Sequence, residues 1–98
     1  MNYKHNYTKL DNNIYTTIRR RKNGNVGDII TEKCPKGSYR AKIIGLERNT
    51  LNNLSLEFLQ RDTDLSNRTE IYRLFQSFYR NPIDFENEKF WIYTMEKI

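Results

Sequence analysis

Two residue types that commonly build small sites are nearly absent: the 98-residue chain has one cysteine, Cys34, and one histidine, His5. A lone cysteine closes no internal disulfide. Together the two cannot supply the four ligands of a Cys/His zinc site, so neither a disulfide scaffold nor a bound metal is expected. A serine or cysteine hydrolase needs a base beside its nucleophile, and the one imidazole sits in a polar N-terminal segment, which argues against a histidine-dependent triad. No Gly-x-x-x-x-Gly-Lys-Ser/Thr or Gly-x-Gly-x-x-Gly stretch occurs, so nucleotide-driven chemistry has no motif and no cofactor is expected. No apolar run approaches the ~20 residues of a membrane span, and Met1 to Leu10 lacks the apolar core of a signal peptide. The expected compartment is the cytoplasm, the host's if the protein is viral, with no membrane partner.

The thirteen aromatic residues, seven of them tyrosine, and 37% hydrophobic content suffice for one compact core. A single domain over residues 1–98 is expected, with residues 1–12 loosely held because they are polar. Charge is unevenly spread. Residues 1–50 carry eleven Lys/Arg against four acids, and residues 51–98 carry six against eight, within a net charge of +5. A basic half of this kind suits a polyanion, because each phosphate neutralised by Lys or Arg releases counterions.

Hydrophobic periodicity gives the order of elements. Ile14 to Arg19 is β-branched and alternating, with Tyr15, Thr17 and Arg19 on one face. Ile29 to Cys34 and Tyr39 to Arg48 read as two further strands, with Pro35-Lys36-Gly37-Ser38 as the turn between them and Gly45 as a bulge position. Leu51, Leu54, Phe58 and Leu59 have helical spacing. A second helix begins at an Asn67 cap and carries the stripe Ile71, Leu74, Phe75 and Phe78, ending before Pro82. Phe90 to Ile98 closes the chain as an aromatic strand. The fold class is therefore α+β: a mostly antiparallel sheet, curled into a small barrel, with two helices inserted before the last strand.

Arg19, Arg20, Arg21 and Lys22 form the most informative run, since guanidinium forks match phosphate geometry and the run extends the first strand. Arg40 and Lys42 share a face of the third strand, Arg48 and Arg61 flank the first helix, and Tyr15 and Tyr39 are the rings expected to stack unpaired bases. Gly24-Asn25-Val26-Gly27 matches a bare Gly-x-x-Gly backbone clamp, but it lies between two strands and reads as a hairpin turn. Asp62 and Asp64 read as capping and solvated turn before they read as a cation site.

Taken in order, Thr17-Ile18-Arg19, Gly27-Asp28, the Tyr39–Arg48 strand, Leu51-Asn52-Asn53-Leu54-Ser55, Asp62, Phe78-Tyr79-Arg80-Asn81-Pro82 and the Phe90–Met95 strand resemble the ASCH domain family of the PUA-like superfamily. The resemblance spans nearly the whole chain and implies a small barrel with a cleft between barrel and helices, suited to RNA or a nucleoside. It implies that Thr17, Arg19 and Asp62 line that cleft. Some members it resembles are acetylcytidine amidohydrolases that use a lysine three residues before the motif threonine, together with a helical glutamate. Those positions are Ile14 and Asp62 here, and isoleucine can neither activate a nucleophile nor donate a proton.

The expected function is RNA binding without catalysis, single-stranded DNA being a competing partner. Thr17, Arg19 and Asp62 would read a base, and Arg20, Arg21, Lys22, Arg40 and Lys42 would supply salt-dependent affinity. The alternatives are a nucleoside or RNA hydrolase using Thr17 and Asp62, and a homodimeric interaction module formed through an edge strand or Tyr72, Tyr79 and Trp91.

Overall fold

The computed structural model describes residues 1–98. Four strands, β1 (Ile14–Arg19), β2 (Ile29–Cys34), β3 (Gly37–Thr50) and β4 (Lys89–Lys97), form one antiparallel sheet in the order β1-β4-β3-β2. Helices α1 (Leu56–Thr63) and α2 (Arg68–Ser77) come before β4, so the α+β class and the placement of both helices before the last strand are as the sequence indicates. No helix is long and apolar enough to cross a membrane.

The sheet does not close into a barrel: β1 and β2 are its opposite edges. Consequently Gly24–Gly27 is not the hairpin turn expected of it. It belongs to a connection between the two edges, held by backbone bonds from Gly27 N to Ile43 O and from Ile43 N to Asp28 O. Adjacency in sequence suggested pairing, but β4 takes the place beside β1 and displaces β2 to the far edge.

Local chemistry explains the elements. Cys34 and Gly37 are paired across the two-residue turn Pro35-Lys36, and Gly37, leaving it, has φ 144°, a conformation that strongly favours glycine. The β3–β4 register shifts between Ile43 and Gly45, and a Cβ on Gly45 would stand 3.2 Å from Thr94 Cβ. Glycine there lets β4 approach closely while the irregularity bends the long β3 strand. Ser55 Oγ accepts from Phe58 N at 3.1 Å and Asn67 Oδ1 from Glu70 N at 2.9 Å, satisfying amides that each helix start leaves unpaired.

Both faces of the sheet are covered. Ile71 and Phe75 of α2 and Leu59 of α1 pack against Ile18, Phe90 and Ile92 on one side. Tyr15, Ala41, Ile43, Tyr93 and Met95 point to the other side, where Tyr3, Tyr7 and Leu10 cover them. The N-terminal residues are therefore not loosely held. Tyr3, Tyr7, Lys9 and Leu10 are buried, Asn2 bridges Lys33 at the free edge of β2, and Tyr3 N donates to Lys33 O at 2.7 Å. The polarity of the segment conceals a Tyr3, Tyr7, Leu10 spacing that puts three large apolar groups on one side of it, and covering the sheet's second face with them is favourable.

Candidate functional site

Between the N-terminal segment, β1 and the two helices lies a cavity of about 240 Å³. Its aromatic walls include Tyr3, Tyr7, Phe78 and Tyr79, and its polar lining includes Lys9, Thr17, Arg19 and Asp62. The three positions singled out in the sequence, Thr17, Arg19 and Asp62, thus come together in one cleft. They arrive from an edge strand and from the last turn of α1, with Lys9 contributed by a 3-10 turn at Thr8–Asp11.

Lys9 is the residue that sequence reasoning missed. Its Nζ donates to Asp62 Oδ1 at 2.9 Å, and both side chains are more than nine-tenths buried. Thr16 Oγ1 donates to the same carboxylate oxygen at 3.2 Å. Asp62 is therefore held by Lys9 and Thr16 and not by Arg19. Asp64, whose left-handed backbone (φ 63°) ends α1, accepts from the backbone N–H of Thr8 at 2.8 Å and from its hydroxyl. The Asp62-Thr63-Asp64 stretch is thus not merely a solvated turn: both carboxylates anchor the N-terminal segment.

Arg19 is oriented from three sides. Its Nε donates to Thr17 Oγ1 at 3.2 Å, its Nη1 donates to Asn2 O at 3.0 Å, and its guanidinium lies over the Tyr3 ring at 4.7 Å from the centroid. No carboxylate pairs with it. The remaining guanidinium donors are thus positioned by neutral groups, an arrangement able to receive an anion or the carbonyl of a base.

Burial dominates the titration behaviour. It lowers the Lys9 ammonium from its ordinary value, with the charge and hydrogen bond of Asp62 acting in the opposite direction. It raises Tyr3 and Tyr15, and pushes Tyr7 up to about 12, where Asp62 adds to the effect. Tyr39 is raised as well, again chiefly by burial. A lowered lysine binds its proton less tightly when folded, so it makes stability rise with pH as its unfolded value is approached. The tyrosines act oppositely: folded, they retain protons that the unfolded chain releases from about pH 10 upward. Four tyrosines outweigh one lysine, so the urea midpoint is expected to fall between about pH 10 and about pH 11. A parallel absorbance titration of phenolate should show Tyr3, Tyr7, Tyr15 and Tyr39 ionising above the ordinary tyrosine range. Ionisation of these four near about pH 10 in the folded protein would contradict this burial pattern.

The other expected contacts do not join the cleft. Tyr15 is 4% exposed and its hydroxyl accepts from the Tyr39 hydroxyl at 2.9 Å, so this pair is interior structure and not a platform for bases. Arg20 is committed to Glu88, with Nη2 donating to Oε1 at 2.9 Å, and to the carbonyls of Asn81 and Pro82, so its fork staples the α2–β4 connection. Arg40 and Lys42 alternate with buried Ala41 and Ile43 along β3 and are exposed, away from the cleft. Arg61 and Arg21 are exposed and make no ion pair. Lys22 and Arg48 meet at Trp91, outside the cleft. The aromatics considered for a dimer are engaged internally: Tyr72 stacks on Phe85 at 4.1 Å, and Tyr79 packs against Phe78 and Phe90.

No family model matches the chain, and no solved structure matches it. It is 36% identical over 69 residues to an uncharacterised protein of Methanocaldococcus jannaschii, an alignment that takes in 65% of this chain and spans 60% of the relative's length.

Proposed function

We propose that the chain is an RNA-binding module of ASCH layout whose cleft takes one unpaired base with its ribose. In this reading the curled sheet is a PUA-like barrel left open at β1, with the N-terminal segment lying along its other edge. The observation that carries the proposal is the convergence of Thr17, Arg19 and Asp62, from an edge strand and a helix end, in one aromatic-walled cavity of about 240 Å³. A cavity of this size suits a small planar ligand. Aromatic faces supply sequence-tolerant stacking, while a few fixed polar groups supply orientation. Arg19 would contact a base edge or a phosphate, Thr17 would offer its hydroxyl, and Asp62 has a second oxygen with which to accept a base amino group. Arg19→Ala is expected to weaken binding of cytidine or a short single-stranded RNA by about 1 to 3 kcal/mol, measured by calorimetry. An unchanged dissociation constant removes Arg19 from the site.

Lys9 favours a second reading, hydrolysis of an acylated nucleoside. Lys9, contributed from Thr8–Asp11 and bonded to Asp62 in the cleft that Thr17 lines, would take the part of the lysine absent at position 14. A buried lysine with a lowered proton affinity is suited to proton transfer. Incubation with acetylcytidine, followed by chromatography for cytidine and acetate, separates the readings. Turnover that is absent from Lys9→Met at a temperature where circular dichroism shows the variant folded supports the hydrolase, and binding without turnover in the native protein supports the module.

A further inference from the structure

Arg19, Trp91 and Arg48 are direct register partners across three adjacent strands, Arg19 with Trp91 and Arg48 with Trp91, so their side chains share one face of the sheet. Lys22, from the connection that follows β1, joins them, with its ammonium 5.2 Å and the Arg48 guanidinium 4.6 Å from the Trp91 ring centroid. Neither cation makes an ion pair. No carboxylate neutralises either cation, so both are free to pair with an anion. The aromatic ring positions the cations without neutralising them, in contrast to Arg20, whose charge is consumed by Glu88. The row starts at Arg19, a lining residue of the cleft, and two interstrand spacings carry it roughly 10 Å to Arg48.

We propose that Lys22 and Arg48, pinned on Trp91, form a phosphate grip for the single-stranded RNA that runs on from the base held in the cleft. This proposal rests on the cleft reading above and extends the contact surface to a second place on the molecule, where the backbone is held without regard to sequence.

Trp91 is the chain's single tryptophan, so its emission reports on this place alone. The test titrates the native protein and the double variant Lys22→Gln/Arg48→Gln with cytidine and with hexacytidylate across a salt series. Both substitutions fall on exposed side chains outside the core. Hexacytidylate, but not cytidine, is expected to change Trp91 emission in the native protein. In the double variant, hexacytidylate affinity should fall about tenfold, with the log affinity–log salt slope smaller by about 1.4, two single-strand phosphate contacts at about 0.7 each. Cytidine affinity should not change. Unaltered hexacytidylate affinity and slope in the double variant would overturn the grip and leave the cleft reading standing. Failure of cytidine to bind the native protein would instead overturn the cleft reading, and the hexacytidylate slope would then decide the grip by itself. Failure of both ligands to bind overturns both.

Discussion

Asp62→Ala is expected to remove about 3 to 5 kcal/mol of folding stability, because it leaves the Lys9 ammonium buried with no partner. Lys9 and Asp62 are 8% and 5% exposed, and the bond between them ties the N-terminal segment to the end of α1. Losing one member leaves an uncompensated charge that must lose its proton or return to water, and the second route lifts Tyr7 and Leu10 away from the sheet. Lys9→Met should be similarly damaging from the other side, since Thr16 alone would remain to satisfy the carboxylate. The double replacement Lys9→Met/Asp62→Leu should recover most of the loss, because an apolar pair removes both desolvation penalties together. Urea unfolding of the native protein, Lys9→Met, Asp62→Leu and the double variant measures this coupling. Additive losses in the double variant would show that the two side chains do not act as a pair. The same variants would lack the cleft's polar floor, so stability and ligand affinity must be measured separately.

Phe90→Ala should cost about 3 to 5 kcal/mol by opening a cavity where sheet and helices meet. Phe90 is fully buried on β4, with the Phe75 and Tyr79 rings edge-on at 6.4 Å and 6.1 Å. A domain of this length has about 5 to 15 kcal/mol in total, so the variant should be partly unfolded at warm temperature. Phe90→Leu retains most of the volume and should recover most of the loss, which separates cavity formation from any special role of the ring. Because Phe75 and Tyr79 also line the cleft, Phe90→Ala should broaden ligand binding before it unfolds the chain. A loss below about 1 kcal/mol would mean that the helices are held to the sheet by other contacts.

How far the site could be read from the sequence varied by residue. Thr17 and Arg19 are two apart on a strand, and strand alternation alone puts them on one face; the structure has them hydrogen-bonded. Asp62 could be placed near the end of α1 from helical spacing, but its partner could not. Lys9 lies 53 positions away in a segment whose composition resembles a solvated tail, and only the Tyr3, Tyr7, Leu10 spacing hinted that it was packed. In the Arg19–Lys22 run the structure sorts the side chains, and only Arg20 is neutralised by a carboxylate. Successive residues leave the strand in different directions: Arg19 enters the cleft, Arg20 turns to Glu88, and Lys22 lies over Trp91.

Local structure was legible from short stretches of residues: the alternating strands, the Ser55 and Asn67 caps, the Ile71/Phe75 stripe and the glycines at Gly37 and Gly45. Each depends on residues a few positions apart, and hydrogen bonding and sterics act at that range. Tertiary structure alone decided that β4 separates β1 from β3, that the sheet stays open, that Lys9 reaches Asp62, and that Tyr15 is interior while Trp91 gathers two cations. These outcomes depend on which surfaces bury one another and on which charges find partners once water is excluded. Both are properties of the packed chain, and neither is written in any short stretch of it.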